Sequence, residues 1–267
     1  MHVRTFTCVA IAAAAAMTVG ACRGGFRVSK FPTNESLYSA ARHEYQRKHW
    51  GNAILAFEKL TADLPARDTL LPRSYWYLGN AHEHEREHLL AAQSFTRLYE
   101  SFPDDTLADD AALEAARAYR RLWRKPTLDA TYGETALATY NTLLGLYGET
   151  SEHAETARRE IADLEQWFAT KNYETGKFYF RQKAFDSAIL YFKYIIERWP
   201  HVPRARDALL RLAESYRAIR YRDDYTDTCT KLRQGYPGDR DVERVCGDVK
   251  PPEAPTVAPP RPASRGD

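Results

Sequence analysis

From Phe31 to Val245, apolar and polar positions recur with helical rather than strand periodicity, and one arrangement repeats. A small residue is followed 12 positions later by a second small residue, then by large apolar residues at 16 and 19 and a proline at 24. Gly79, Ala91, Phe95, Leu98 and Pro103 fit this spacing, as do Gly176, Ala188, Phe192, Ile195 and Pro200. Ala41, Ala53, Phe57, Leu60 and Pro65 form a third copy. Ala213, Leu232 and Pro237 form another, in which Tyr225 replaces the second small residue and Cys229 the aromatic. The small residues mark close crossings of paired helices, and each proline stops a second helix. The copy opening at Ala116 and Tyr119 is irregular: an insertion runs through Lys125-Pro126 and Tyr132-Gly133 before Ala136, Tyr140 and Leu143 resume the pattern. Gly148 stands there in the place of proline.

This spacing resembles that of tetratricopeptide repeats. The expected fold is all-α, a tetratricopeptide α-solenoid of about five helical hairpins with a concave face. The repeats are expected over 35–70, 71–107, 108–150, 160–202 and 203–249. Pro65, Pro103, Pro200 and Pro237 preclude the sustained heptads of a coiled coil.

The ends read differently. Residues 1–21 carry Arg4 and then an apolar run from Val9 to Val19, too short to span a bilayer, as in a signal peptide. Val19-Gly20-Ala21-Cys22 resembles the lipobox of bacterial lipoproteins, in which the cysteine is acylated and becomes the first residue. Ordinary cleavage near Ala21 is the alternative, and export holds in either case. Arg23 follows rather than Asp, so no inner-membrane retention signal is apparent. Residues 22–34 form a short lipidated tether, and from Lys250 onward proline fills six of eighteen positions, the composition of an extended, disordered tail.

Across all 267 residues, a mean hydropathy of -0.58 excludes a polytopic membrane protein. The formal charge of +2 implies no affinity for polyanions, and losing Arg4 with the leader turns 38 basic residues into 37 against 36 acidic. Cys229 and Cys246 remain as an even pair in an oxidising compartment, either bridged or present as two buried thiols.

A lipobox, five such repeats, an insertion in the third and a short tail together resemble the BamD family of outer-membrane lipoproteins. The resemblance covers about Phe31 to Val245 and is best over Leu37 to Pro65, Phe185-Asp186-Ser187-Ala188, Arg206-Asp207-Ala208-Leu209 and Ser215-Tyr216-Arg217. It implies a lipid-anchored, non-enzymatic scaffold on the periplasmic face of the outer membrane, without cofactors. It also implies a BamA-like β-barrel partner at the C-terminal repeats and unfolded outer-membrane proteins at the N-terminal repeats. Other assembly lipoproteins are implied as further partners. Another envelope lipoprotein of the same repeat type, serving cell-wall, division or export machinery, is the competing expectation.

Repeat register predicts which side chains line the concave face. In the first two repeats these are Tyr38, Arg42, Tyr45, Arg73, Trp76 and Asn80, with Glu83. Arg117, Arg120 and Arg121 follow, then Tyr173, Lys177, Phe180, Arg181 and Arg217. Aromatic platforms beside guanidinium groups suit a peptide with aromatic side chains and a free C-terminal carboxylate. Nucleic acid would also suit such groups, but export and near-zero net charge argue against it. His84-Glu85-Arg86-Glu87-His88 spells the zinc-protease signature, with His82 just before it. Repeat register places this segment across the turn between two helices, so no catalytic site is expected; a zinc hydrolase is the distant third reading, and incidental metal binding by His82, His84 and His88 stays open.

Overall fold

The computed structural model describes residues 26–249. The leader, Cys22 and the Pro-rich segment from Lys250 lie outside the described residues. Among those described there are eleven α-helices and no strand, and no helix is long and apolar enough to cross a membrane. The chain divides into two compact units after Ala111.

Unit 1 holds two hairpins: α1 (Asn34–Gln46) with α2 (Trp50–Asp63), and α3 (Leu70–His84) with α4 (His88–Ser101). Thr33 starts α1 through a capping box, its hydroxyl accepting from the Ser36 amide at 3.2 Å. The core of α1, α2 and α3 is Leu37, Ala41, Ala53, Ala56, Phe57, Leu60, Leu64, Leu71 and Leu78. Val28, in a 3-10 turn over Val28–Lys30, and Phe26 and Phe31 on either side of it pack on this core. In the second hairpin, a Cβ on Gly79 would meet the Phe95 ring at 2.6 Å, so only glycine permits the crossing.

Unit 2 comprises most of α5 (Ala108–Leu122), then α6 (Thr131–Tyr147), α7 (Ala154–Arg181), α8 (Phe185–Arg198), α9 (Pro203–Ile219), α10 (Arg222–Gly235) and α11 (Arg240–Cys246). Gly176 repeats the device of Gly79: its Cβ would lie 2.7 Å from the Phe192 ring. Two features depart from the sequence expectation. Tyr132 and Gly133 are not part of the inserted loop but form the first turn of α6, where Gly133 lies face to face with the buried ring of Trp123. In addition, α7 begins at Ala154 rather than near 160 and runs for 28 residues. Its added N-terminal turns lack proline and glycine, and Ala157, Leu164 and Phe168 are buried along one face.

Four of the hairpin turns share one backbone solution, a residue in the left-handed region: Lys48 at φ 60°, Arg86 at 63°, Lys183 at 60° and Arg220 at 64°. Each position carries a long basic side chain rather than glycine or asparagine, at a conformational cost of about 1 kcal/mol apiece.

Candidate functional site

In unit 1, α1 presents Tyr38, Arg42 and Tyr45 on one stripe, and α3 presents Arg73, Trp76 and Asn80 on another. Tyr77, which repeat register did not single out, stands at their centre. Its ring stacks on Phe57 at 5.4 Å and meets Tyr45 at 5.1 Å and Tyr38 at 6.5 Å edge-on. The guanidinium of Arg42 lies over Tyr77, 5.2 Å from the ring centre. The one available signal for Tyr77 was its neighbourhood, Tyr75-Trp76-Tyr77.

Arg42 and Arg73 are both exposed, and neither forms an ion pair among the described residues. Both act on the buried hydroxyl of Tyr38, and Arg42 stands nearest to it. Burial, then Tyr77, pushes the Tyr38 phenol up, and the two arginines pull against that shift. Burial likewise raises Tyr45. Trp76 rests against Phe95 at 5.4 Å, half-buried. Asn80 turns its amide back onto its own helix, donating to the Trp76 carbonyl at 2.8 Å. Unit 1 therefore offers two uncompensated cations on a tyrosine platform, the chemistry that receives a carboxylate beside aromatic groups.

The arginines placed on the same face by sequence register in unit 2 behave differently. Arg117 is engaged within the protein rather than presented to a ligand. Its Nε and Nη2 donate to Glu160 at 3.0 and 2.6 Å, and Nη1 donates to Glu114 at 2.7 Å. Tyr140 donates its hydroxyl to the same Glu160 at 2.5 Å. Burial would raise the Glu160 carboxyl, but the hydrogen bonds from Arg117 and Tyr140 outweigh it and hold the group below the usual carboxylate range. Arg117 is raised chiefly by Glu160, and burial pushes the Tyr140 phenol far up. Arg120 lies over the Trp167 ring at 4.4 Å, and Arg121 is exposed. Of the three, Arg117 is therefore corrected from a groove residue to a tie between α5 and α7.

The histidine-rich segment is split by structure. His84 ends α3, Arg86 turns left-handed, and His88 opens α4, so the two histidines of the motif do not share a helix. His84 stacks on Trp50 at 3.9 Å, the buried His82 meets Glu87 at 2.7 Å, and His88 meets Glu83 at 3.1 Å.

At the C-terminal end, a disulfide joins Cys229 of α10 to Cys246 of α11, their Cα atoms 5.5 Å apart. Arg206 adds a fork to Asp239 and a bond to Asp241, at 2.7 and 3.0 Å.

The family model described as "YfiO: Outer membrane lipoprotein" matches residues 32–232. The chain is 28% identical over 252 residues to the outer membrane protein assembly factor BamD of Caulobacter vibrioides, spanning 91% of this chain and 80% of the relative. Among solved structures, a thermophilic tetratricopeptide protein of Thermus thermophilus is 17% identical, at a TM-score of 0.34 over 80% of this chain and 98% of that one. A tetratricopeptide repeat protein from Parabacteroides merdae is 18% identical, at 0.36 over 80% and 73%. Such scores add nothing to the hairpin packing described above. The family match covers about three quarters of the chain, and the protein belongs to the YfiO family of outer membrane lipoproteins.

Proposed function

We propose that this protein is a non-enzymatic scaffold for assembling β-barrel proteins into the outer membrane, held there by acyl chains on Cys22. Its similarity to an outer membrane protein assembly factor supports the role. Unit 1 receives the C-terminal segments of unfolded barrel proteins, and the C-terminal repeats engage a BamA-like β-barrel protein. One observation carries the peptide site: Arg42, held 5.2 Å over the Tyr77 ring, and the exposed Arg73 have no acidic partner among the described residues. Aromatic side chains of the ligand would lie against Tyr38, Tyr45 and Trp76, and its terminal carboxylate would take a guanidinium fork. Arg120 and Arg121 stay as candidate groove residues of unit 2.

The test is a titration with a peptide ending in an aromatic residue, once with a free carboxylate and once amidated. Amidation should weaken binding about tenfold, the loss of a charge-assisted hydrogen bond. Arg73→Glu should abolish the distinction between the two peptides, and Trp76→Ala should weaken both. Unchanged affinity in both variants would remove the site assignment. Gentle solubilisation and capture of the full chain should bring with it a large β-barrel protein with periplasmic domains. Recovery of peptidoglycan or division proteins instead would overturn the role and leave the fold intact.

A further inference from the structure

Unit 2 carries an aromatic strip whose inner rings, Phe168 and Trp199, are buried and whose outer ring, Tyr194, is exposed. On α7 and α8, Tyr179 stacks on Tyr191 at 5.6 Å, Phe168 stacks on Trp199 at 5.9 Å, and Tyr194 meets Trp199 edge-on at 5.5 Å. Phe168, Tyr191, Tyr194 and Trp199 border an open cavity of about 600 Å³ between α6, α7 and α8. Leu190 on its wall is 70% exposed and Tyr194 49%. Rings set a few ångströms apart along an open groove are the surface onto which a polyproline-II strand docks, because that strand is rigid before it binds.

We propose that the occupant is this chain's own Pro-rich segment, residues 250–267. It holds six of the chain's 14 prolines, in runs such as Pro259-Pro260-Arg261-Pro262. Its point of departure is tied down: Arg233 of α10 donates to the Val249 carbonyl at 2.7 Å, three residues after the bridged Cys246. From α10 the chain must pass α9 to reach α8, helices that pack in that order. Two helix spacings amount to about 20 Å. The stretch from Lys250 to Pro262 reaches about 40 Å as polyproline II. Four charged side chains line the cavity: Glu134, Glu165, Lys171 and Arg198. Glu165 is met by His201 at 2.8 Å and the Lys171 amine is engaged by the Leu128 carbonyl at 2.8 Å, which leaves the Glu134 carboxylate to suit Arg261. A short tether gives an effective concentration of about 1 mM, enough to keep the groove filled if the free segment binds at about 0.1 mM.

The experiment compares the full chain with its Pro259→Ala, Pro260→Ala, Pro262→Ala variant, titrating each with a fluorescent peptide of residues 250–264. The peptide should bind the variant about tenfold more tightly than the unaltered chain, whose own segment competes. Adding the exposed change Leu190→Lys to the variant should abolish binding while the helical circular dichroism stays the same. Equal affinity for the two chains, or binding to neither, overturns the proposal. So does a mass by light scattering that doubles for the unaltered chain alone, since the occupant would then be a second copy.

Discussion

Arginines on the helical faces meet opposite fates in the two units, and Arg42 and Arg117 do so from the same place in the repeat. Arg42 of unit 1 stands over Tyr77, Arg73 acts on Tyr38, and neither has a carboxylate partner among the described residues. Arg117 of unit 2 is clasped by Glu160 and Glu114, and Arg206 by Asp239 and Asp241. An arginine on a helical face therefore does not by itself mark a binding site. What marks one is the absence of the acid that would neutralise it, and that acid can come from far along the chain: Glu160 lies 43 positions from Arg117. Unit 2 uses Arg117 and Arg206 as ties, and unit 1 leaves Arg42 and Arg73 without an acidic partner among the described residues.

The largest effect should come from severing the covalent tie of unit 2. Cys229→Ser with Cys246→Ser should lower unfolding stability by about 3 kcal/mol, read by urea denaturation without reductant. Reductant should bring the unaltered protein to the same midpoint.

Next is Glu160→Ala, which strands Arg117 and the Tyr140 hydroxyl and should destabilise by about 2–3 kcal/mol. Arg42→Ala, which breaks no ion pair, should change stability by less than about 0.5 kcal/mol. Comparable losses in the two variants would abolish the contrast between the units. The contribution of Glu160 has a pH signature. Its folded carboxyl is held down by Arg117 and Tyr140, so the stabilisation is present above the unfolded carboxylate value and is lost as pH falls through the lower folded value. The stability gap between the unaltered protein and Glu160→Gln should therefore be full at neutral pH and close below about pH 4.

The smallest effect concerns the turns, where both units use the same device. Lys48→Gly in unit 1 and Lys183→Gly in unit 2 relieve left-handed strain and should each raise stability by up to about 1 kcal/mol, offset in part by added freedom of the unfolded chain. A gain in one turn and a loss in the other would show that one lysine makes a compensating contact.

Much of this architecture follows from residues close together in sequence. The pairs Gly79 with Phe95 and Gly176 with Phe192 recur at one spacing because each hairpin folds on itself, and helix pairing within a hairpin is a local event. Proline after each second helix, and a family match built on the same positions, follow from that local period. The same period places the histidine motif across a turn, where Arg86 separates α3 from α4.

Tertiary structure decided the rest, because it depends on contacts the period does not encode. The insertion in the third repeat hid the start of α6, since the close approach of Trp123 that requires glycine at 133 comes from outside the helix. The extra turns of α7 were legible as uninterrupted helix formers, but nothing local showed that they bury Ala157 and Leu164. Tyr77 became the centre of the unit 1 platform because three helices bring Tyr38, Tyr45 and Phe57 to it. Sequence by itself determined the helices, their pairing and the stripes of arginine and tyrosine. Which arginines were left without a partner was settled only by folding, because charge compensation acts through space and takes no account of separation along the chain.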